Sequence, residues 1–104
     1  MELRALRYFL AVAREENMTE AANVLHVTQP TLSRQIADLE RELGVGLFER
    51  TNRFCVLTSD GMRLRQRAEE ILSLVEQTES EMGDQELGIE GNIRIGAGET
   101  RAMR

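Results

Sequence analysis

The sequence contains a single cysteine, Cys55, and no lysine, so all 13 of its basic residues are arginine. One cysteine excludes an internal disulfide and a metal site built from several thiolates, and a reducing cytoplasmic setting follows. No uninterrupted apolar run approaches the ~20 residues of a membrane span, and Arg4, Arg7 and Arg14 interrupt the N-terminal segment that a signal peptide would need. We therefore expect a cytoplasmic protein with no membrane partner.

Acidic residues are concentrated toward the end of the 104-residue chain. Residues 1–68 hold ten arginines and nine acids, whereas residues 69–104 hold three arginines and nine acids. The net charge of −5 therefore does not exclude nucleic acid as a partner, because the first part of the chain is free to carry a local basic face. Arginine suits such a face, since its planar guanidinium makes paired contacts to phosphate and guanine.

Two helices are predicted near the N-terminus. Apolar residues at three-to-four spacing from Leu3 to Ala13 indicate an amphipathic first helix. Asn17, followed three residues later by Glu20, is a capping pair for a short second helix that ends near Leu25. The small residues of this second helix allow another helix to approach it closely.

A third helix is predicted directly after a tight turn. Thr28 caps it, Pro30 is tolerated in its first turn because those amides lack intrahelical partners, and Gly44 ends it. Its predicted buried stripe consists of Leu32, Ile36, Leu39 and Leu43. A short helix, a turn and a longer helix form the helix-turn-helix pattern, in which the second helix can enter a DNA major groove.

The polar start of the third helix is where contacts to DNA are expected. Gln29 and Arg34 can hydrogen-bond to base edges. The hydroxyls of Thr28, Thr31 and Ser33 can donate to phosphates. The alternative is a helical hairpin whose polar residues are only solvated, because such patterns also recur by accident.

The sequence of residues 47–58, LFERTNRFCVLT, predicts two short strands around a polar tip at residues 51–53. This hairpin would lie beside the duplex as a wing. Arg50 and Arg53 belong to it, and Arg53 can enter a minor groove.

A long fourth helix is predicted over residues 59–82, capped by Thr58 or Ser59. Its apolar seam alternates at spacings of four and three, close to a heptad repeat, and consists of Leu64, Ala68, Ile71, Val75, Thr78 and Met82. Such a stripe is more often core than interface. This helix exceeds what a small winged domain can cover, however, so we expect it to pair with a second chain.

Other candidate sites are weaker. His26 has no second histidine and no nearby cysteine with which to share a metal ion, and Cys55 is expected to be a packing residue. Gly96 and Gly98 lack the third glycine of a dinucleotide loop, because Arg101 stands in its place. With no nucleophile-base pair, metal set or phosphate loop, neither an enzyme nor a cofactor is expected.

The run LRYFLAVAREENMTEAANVLHVTQPTLSRQIADLERELGVGLFER and the later VLTSDG resemble the N-terminal region of LysR-type transcriptional regulators. The central TQPTLSRQIADLE is highly specific for that family, and GNIRIGAGE resembles the start of its effector-binding domain. The resemblance implies a mainly α fold, a winged helix-turn-helix with a small β-hairpin wing and a long C-terminal linker helix. It divides the chain into a DNA-binding domain (1–58), a linker or dimerisation helix (59–82), and a hinge with the truncated start of an effector-binding domain (83–104).

The resemblance also implies site residues and partners. In that family the equivalents of Gln29, Pro30, Ser33 and Arg34 face bases, and wing arginines such as Arg53 meet the minor groove. It implies antiparallel pairing of linker helices, a homodimer or full-length tetramer on a dyad operator, and a small-molecule inducer bound outside this fragment. The predicted function is sequence-specific binding of double-stranded DNA by a dimeric transcription regulator. The alternative is a protein-interaction module that pairs through the long helix without contacting DNA.

Overall fold

The structure is a computed structural model that describes residues 1–87, with side chains as far as Met82. Within that range the elements are α1 (Leu3–Glu15), α2 (Met18–Leu25), α3 (Gln29–Leu43), β1 (Phe48–Arg50), β2 (Cys55–Leu57) and α4 (Ser59–Leu87). The predicted fold class, a winged helix-turn-helix with a hairpin wing and a long C-terminal helix, is confirmed. The predictions for residues 88–104, including most of the hinge and the glycine-containing loop, fall outside the described residues.

Each of the first three helices ends in a residue with left-handed backbone geometry. Glu16, His26 and Gly44 have φ angles of 57°, 61° and 75°. Their backbone N–H groups donate back into the last turn of the preceding helix and so satisfy carbonyls that would otherwise lack partners. This geometry reverses the chain within a few residues and leaves only three residues between α2 and α3.

Residues 1–70 form one unit whose core lies among α1, α2, α3 and the hairpin. The largest fully buried side chains are Leu6, Phe9, Val12, Leu32, Ile36, Leu39 and Leu47. The rings of Phe9 and Phe48 lie with centroids 5.4 Å apart and tilted by 49°, which packs β1 against α1. The predicted stripe of α3 is correct except for Leu43, which is 38% exposed because it occupies the last position of the helix.

Two polar side chains fasten the hairpin to the neighbouring helices. Glu40 of α3 accepts hydrogen bonds from the backbone N–H groups of Leu47 at 2.8 Å and Phe48 at 3.4 Å. Thr58 donates its hydroxyl to the Gly46 carbonyl at 2.7 Å, and its Oγ1 accepts from Gly61 N at 3.0 Å. Thr58 is thus the cap of α4 and also the link between that helix and the start of β1.

The fourth helix is longer than predicted. It continues to Leu87, five residues beyond the predicted end at Met82, and Gly83 lies inside it. One glycine in a helix costs only about 1 kcal/mol relative to alanine, so it need not end the helix. A second unit begins at Ile71, within α4. No helix in the described range is long and apolar enough to cross a membrane.

Candidate nucleic-acid interface

The start of α3 is held by its cap. Thr28 Oγ1 accepts a hydrogen bond from Thr31 N at 3.3 Å and donates to Thr31 Oγ1 at 2.8 Å. Pro30 lies in the first turn, where its fixed φ suits the helix and its missing N–H leaves no bond unmade. The first turn is therefore capped, and the N–H groups of Thr31 and Leu32 both have partners on Thr28.

The residues predicted to contact bases lie at the surface of this turn. Gln29, Pro30 and Arg34 are exposed, and Ser33 is half-buried. Gln29 Nε2 donates to Ser33 Oγ at 2.9 Å, one helical turn away. Among residues 1–83, Arg34 forms no ion pair and no side-chain hydrogen bond, so its guanidinium donors remain available to a ligand.

The wing is a short antiparallel hairpin in which Phe48 pairs with Leu57 and Arg50 pairs with Cys55. Beyond that ladder, Thr51 N donates to the Phe54 carbonyl at 2.9 Å and closes the tip. Arg50 and Arg53 are exposed and form no ion pair within residues 1–83.

An open cleft of about 320 Å³ brings the wing and the helix-turn-helix together. Its lining residues come from the start of α2, the start of α3 and the tip of the hairpin: Asn17, Met18, Thr19, Gln29, Arg50, Thr51, Asn52, Arg53, Phe54 and Cys55. Among the described residues, the only charged side chains in this lining are the two arginines, which favour anions in the cleft. Of the predicted site residues, Gln29, Arg50 and Arg53 meet here, whereas Arg34 lies further along α3, outside the cleft.

Sequence reasoning missed seven residues of this cleft as site residues: Asn17, Met18, Thr19, Thr51, Asn52, Phe54 and Cys55. Asn17 was predicted only as a helix cap, although its side chain also contacts the wing. Thr19 and Phe54 were not singled out, and Phe54 is 57% exposed at the wing tip. An exposed aromatic beside Arg53 is a local signal that could have added Phe54 to the predicted contact surface of the wing.

The seam of α4 divides into covered and open positions. Ala68 is fully buried within the chain, so it has no surface to offer a second chain, and we remove it from the predicted dimerisation set. Leu64, Ile71 and Val75 are half-buried, and Met82 is 53% exposed. Leu74, which lies beside this stripe outside the heptad positions, is 62% exposed and was not predicted.

The other residues considered in the sequence lie in packing and turn positions. His26 is exposed in the left-handed turn that ends α2. Cys55 is buried, and this burial raises the pKa of its thiol, an effect that the nearby Arg50 opposes. No cluster of three or more potential metal ligands occurs in the part of the chain that the structure describes.

Several known proteins are similar to this chain. The regulator BenM of Acinetobacter baylyi is 48% identical over 96 residues, which cover 92% of this chain and 31% of BenM. A probable RuBisCO transcriptional regulator of Thalassiosira pseudonana is 42% identical over 98 residues, covering 94% of this chain and 32% of that protein. The chain thus spans about a third of the length of these curated relatives.

Crystal structures of DNA complexes are also similar to this chain. The BenM DNA-binding domain in complex with catB site 1 DNA superposes with a TM-score of 0.82 at 44% identity, covering 89% of this chain and all of that one. The CbnR DNA-binding domain in complex with DNA gives a TM-score of 0.79 at 42% identity, covering 82% of this chain and 98% of that one.

Residues 3–62 match the family described as bacterial regulatory helix-turn-helix proteins of the lysR family. The match includes α1, the helix-turn-helix, the wing and the cap of α4. The chain belongs to the lysR family of bacterial regulatory helix-turn-helix proteins.

Proposed function

We propose that this chain binds double-stranded DNA sequence-specifically, as the DNA-binding part of a dimeric transcription regulator. The observation that carries the proposal is the start of α3, where a capped turn presents Gln29, Pro30 and Arg34 to solvent. Within residues 1–83 the Arg34 guanidinium forms no ion pair, and an α-helix fits the width of a major groove. Family membership and the DNA complexes of BenM and CbnR support the same function.

The residues at the start of α3 and on the wing are assigned different DNA contacts in this proposal. Base contacts are assigned to Gln29, Pro30, Ser33 and Arg34, and contacts to the backbone or minor groove to Thr28, Thr31, Arg50 and Arg53. The cleft between wing and α3 then receives a phosphate strand, because its only charged lining residues are Arg50 and Arg53. The tip arginine, Arg53, reaches the adjacent minor groove, whose negative potential is greatest where it is narrow.

The proposed dimer forms through the open side of α4. Ile71, Val75 and Met82 lie on one stripe of this helix and retain exposed surface, with the exposed Leu74 beside them. A twofold pair of recognition helices would read a dyad operator whose half-sites are separated by about one or more helical turns. In the longer protein we expect tetramers, a small-molecule inducer bound outside this chain, a cytoplasmic location and no enzymatic activity.

The test compares two arginines of the same helix. Arg34→Ala should reduce discrimination between operator and random DNA by about 1–3 kcal/mol, the contribution of one specific base contact. Arg41→Ala is the matched control: Arg41 lies two turns further along α3 and is ion-paired with Asp38 at 2.7 Å, so its loss should leave discrimination unchanged.

Gel-shift or fluorescence titrations at several salt concentrations measure the affinity for operator DNA and for random DNA, and hence the discrimination between them. Affinity should fall steeply with salt, because phosphate contacts release counterions. Equal discrimination by Arg34→Ala and the parent protein would refute the assignment of α3 to the major groove. An affinity for DNA that does not depend on salt concentration would favour the alternative, a protein-interaction module that does not bind DNA.

A further inference from the structure

The side chain of Asn17 makes two hydrogen bonds, one that caps α2 and one to the wing. Its Oδ1 accepts from Glu20 N at 2.8 Å and caps α2. Its Nδ2 donates to the backbone carbonyl of Arg53 at 3.1 Å, 36 residues away in the sequence. The two partners fix the orientation of the amide, because a backbone N–H requires its oxygen and a carbonyl requires its NH₂ group.

Within the described part of the chain, the tip of the wing has few other hydrogen bonds to the helices. The β ladder ends at the pair Arg50 and Cys55, so residues 51–54 project beyond it. At the base of this projection, Cys55 N donates to the Glu16 carbonyl at 3.0 Å. Glu16 and Asn17 therefore hydrogen-bond to Cys55 and Arg53, and within residues 1–83 the bond from Asn17 is the one that joins the helices to the projecting tip.

We propose that Asn17 is a positioning residue for DNA recognition, whose amide sets where Arg53 lies relative to α3. This inference rests on the proposed function. If α3 reads the major groove and Arg53 the adjacent minor groove, the distance between them must match the duplex. The amide of Asn17 constrains that distance, because it ties the wing tip to the start of α2, which a three-residue turn joins to α3.

Capping alone does not require asparagine at this position. Serine and aspartate cap helices about as well. Neither has a second, diverging NH₂ group that can donate to the Arg53 carbonyl while its oxygen faces the helix. A substitution can therefore remove the bond to the wing and leave the cap in place.

The experiment uses Asn17→Ser, which keeps a capping oxygen and adds no charge. Asn23→Ser is the matched control, since Asn23 is exposed on the same helix and its side chain forms no hydrogen bond among residues 1–83. Thermal unfolding should be unchanged in Asn23→Ser, and Asn17→Ser should lose no more stability than one neutral hydrogen bond contributes. Hydrogen–deuterium exchange should become faster over residues 51–55 in Asn17→Ser only, with Glu20 N remaining protected.

A double-mutant cycle on DNA then separates positioning from stability. Asn17→Ser should weaken operator binding by about two- to tenfold, the equivalent of one neutral hydrogen bond. In an Arg53→Ala background, the same substitution should change binding less than about twofold, because the side chain that Asn17 positions is gone.

Unchanged exchange over residues 51–55, or additive effects of the two substitutions on affinity, would overturn the role of Asn17. That failure is distinct from failure of the proposed function. If Arg34→Ala leaves discrimination intact, the proposed function fails; if Arg34→Ala behaves as expected and the cycle is additive, only the positioning role fails.

Discussion

Replacement of Gly61 by alanine should destabilise the fold, although alanine is the better helix former. Gly61 lies in the first turn of α4 and is buried. A Cβ atom there would lie 2.2 Å from the Leu47 carbonyl oxygen and 2.8 Å from Cδ2 of Leu57. The oxygen belongs to the backbone of the chain entering the wing, so it cannot move aside as a flexible side chain would.

The size of the effect follows from the displacement required. Ordinary contact begins near 3.4 Å, so the start of α4 and the Leu47 backbone must separate by roughly 1.2 Å. The bonds from Thr58 N to Leu47 O at 3.0 Å and from Thr58 Oγ1 to Gly46 O at 2.7 Å would then be stretched or lost. Overpacking costs about 1–3 kcal/mol and each bond about 0.5–1.5 kcal/mol, against about 1 kcal/mol gained in helix propensity. We expect a net loss of about 1–5 kcal/mol.

Gly83→Ala is the matched control, because Gly83 lies in the same helix and a Cβ there would have no neighbour within 4 Å. It should leave stability unchanged or raise it by up to about 1 kcal/mol. Urea unfolding followed by far-UV circular dichroism measures both variants, with m-values compared to confirm that the transitions are equivalent. A Gly61→Ala variant as stable as the parent protein would refute the close packing of α4 on Leu47.

Two further predictions concern α4 and the wing. Val75→Arg should shift the protein from dimer to monomer in sedimentation equilibrium. Ser73→Arg, on the other side of the helix, should leave the dimer intact. The same oligomeric state in both variants would contradict the assignment of Val75 to the dimer interface. Burial raises the pKa of the Cys55 thiol above its ordinary value of 9.0. As pH rises, the thiol is therefore deprotonated in the unfolded chain before it is deprotonated in the folded protein. The free energy of unfolding should therefore fall with pH above about 9 more steeply in the parent protein than in Cys55→Ala, and parallel pH profiles would contradict this.

The elements could be predicted from the sequence because their signals are local. Asn17 and Thr28 each lie three residues before the amide that they cap, and Gly44 adopts the left-handed geometry that ends α3. The exposed start of α3 follows from the same local pattern, since the apolar stripe of Leu32 and Ile36 leaves the polar residues on the opposite side.

The cleft could not be predicted, since it depends on contacts between residues far apart in the chain. The bond between Asn17 and Arg53 joins residues 36 positions apart, and nothing in either local stretch specifies it. Ala68 illustrates the same limit, because a heptad pattern indicates an apolar stripe without showing which side is covered by the chain itself. The fourth helix also continues past its predicted end at Met82 through Gly83, because a glycine in a long helix is tolerated at a small cost.

The distribution of ion pairs explains how an acidic chain can present a basic surface. Arg41 and Arg67 each pair with a carboxylate three residues away, which cancels most of their field. Arg34, Arg50 and Arg53 form no such pair among residues 1–83, and the last two are the only charged residues lining the cleft. The net charge of −5 therefore does not determine the sign of the electrostatic potential near α3 and the wing. A polyanion near that surface meets unneutralised guanidinium groups, and this local field is what makes the proposed binding electrostatically favourable.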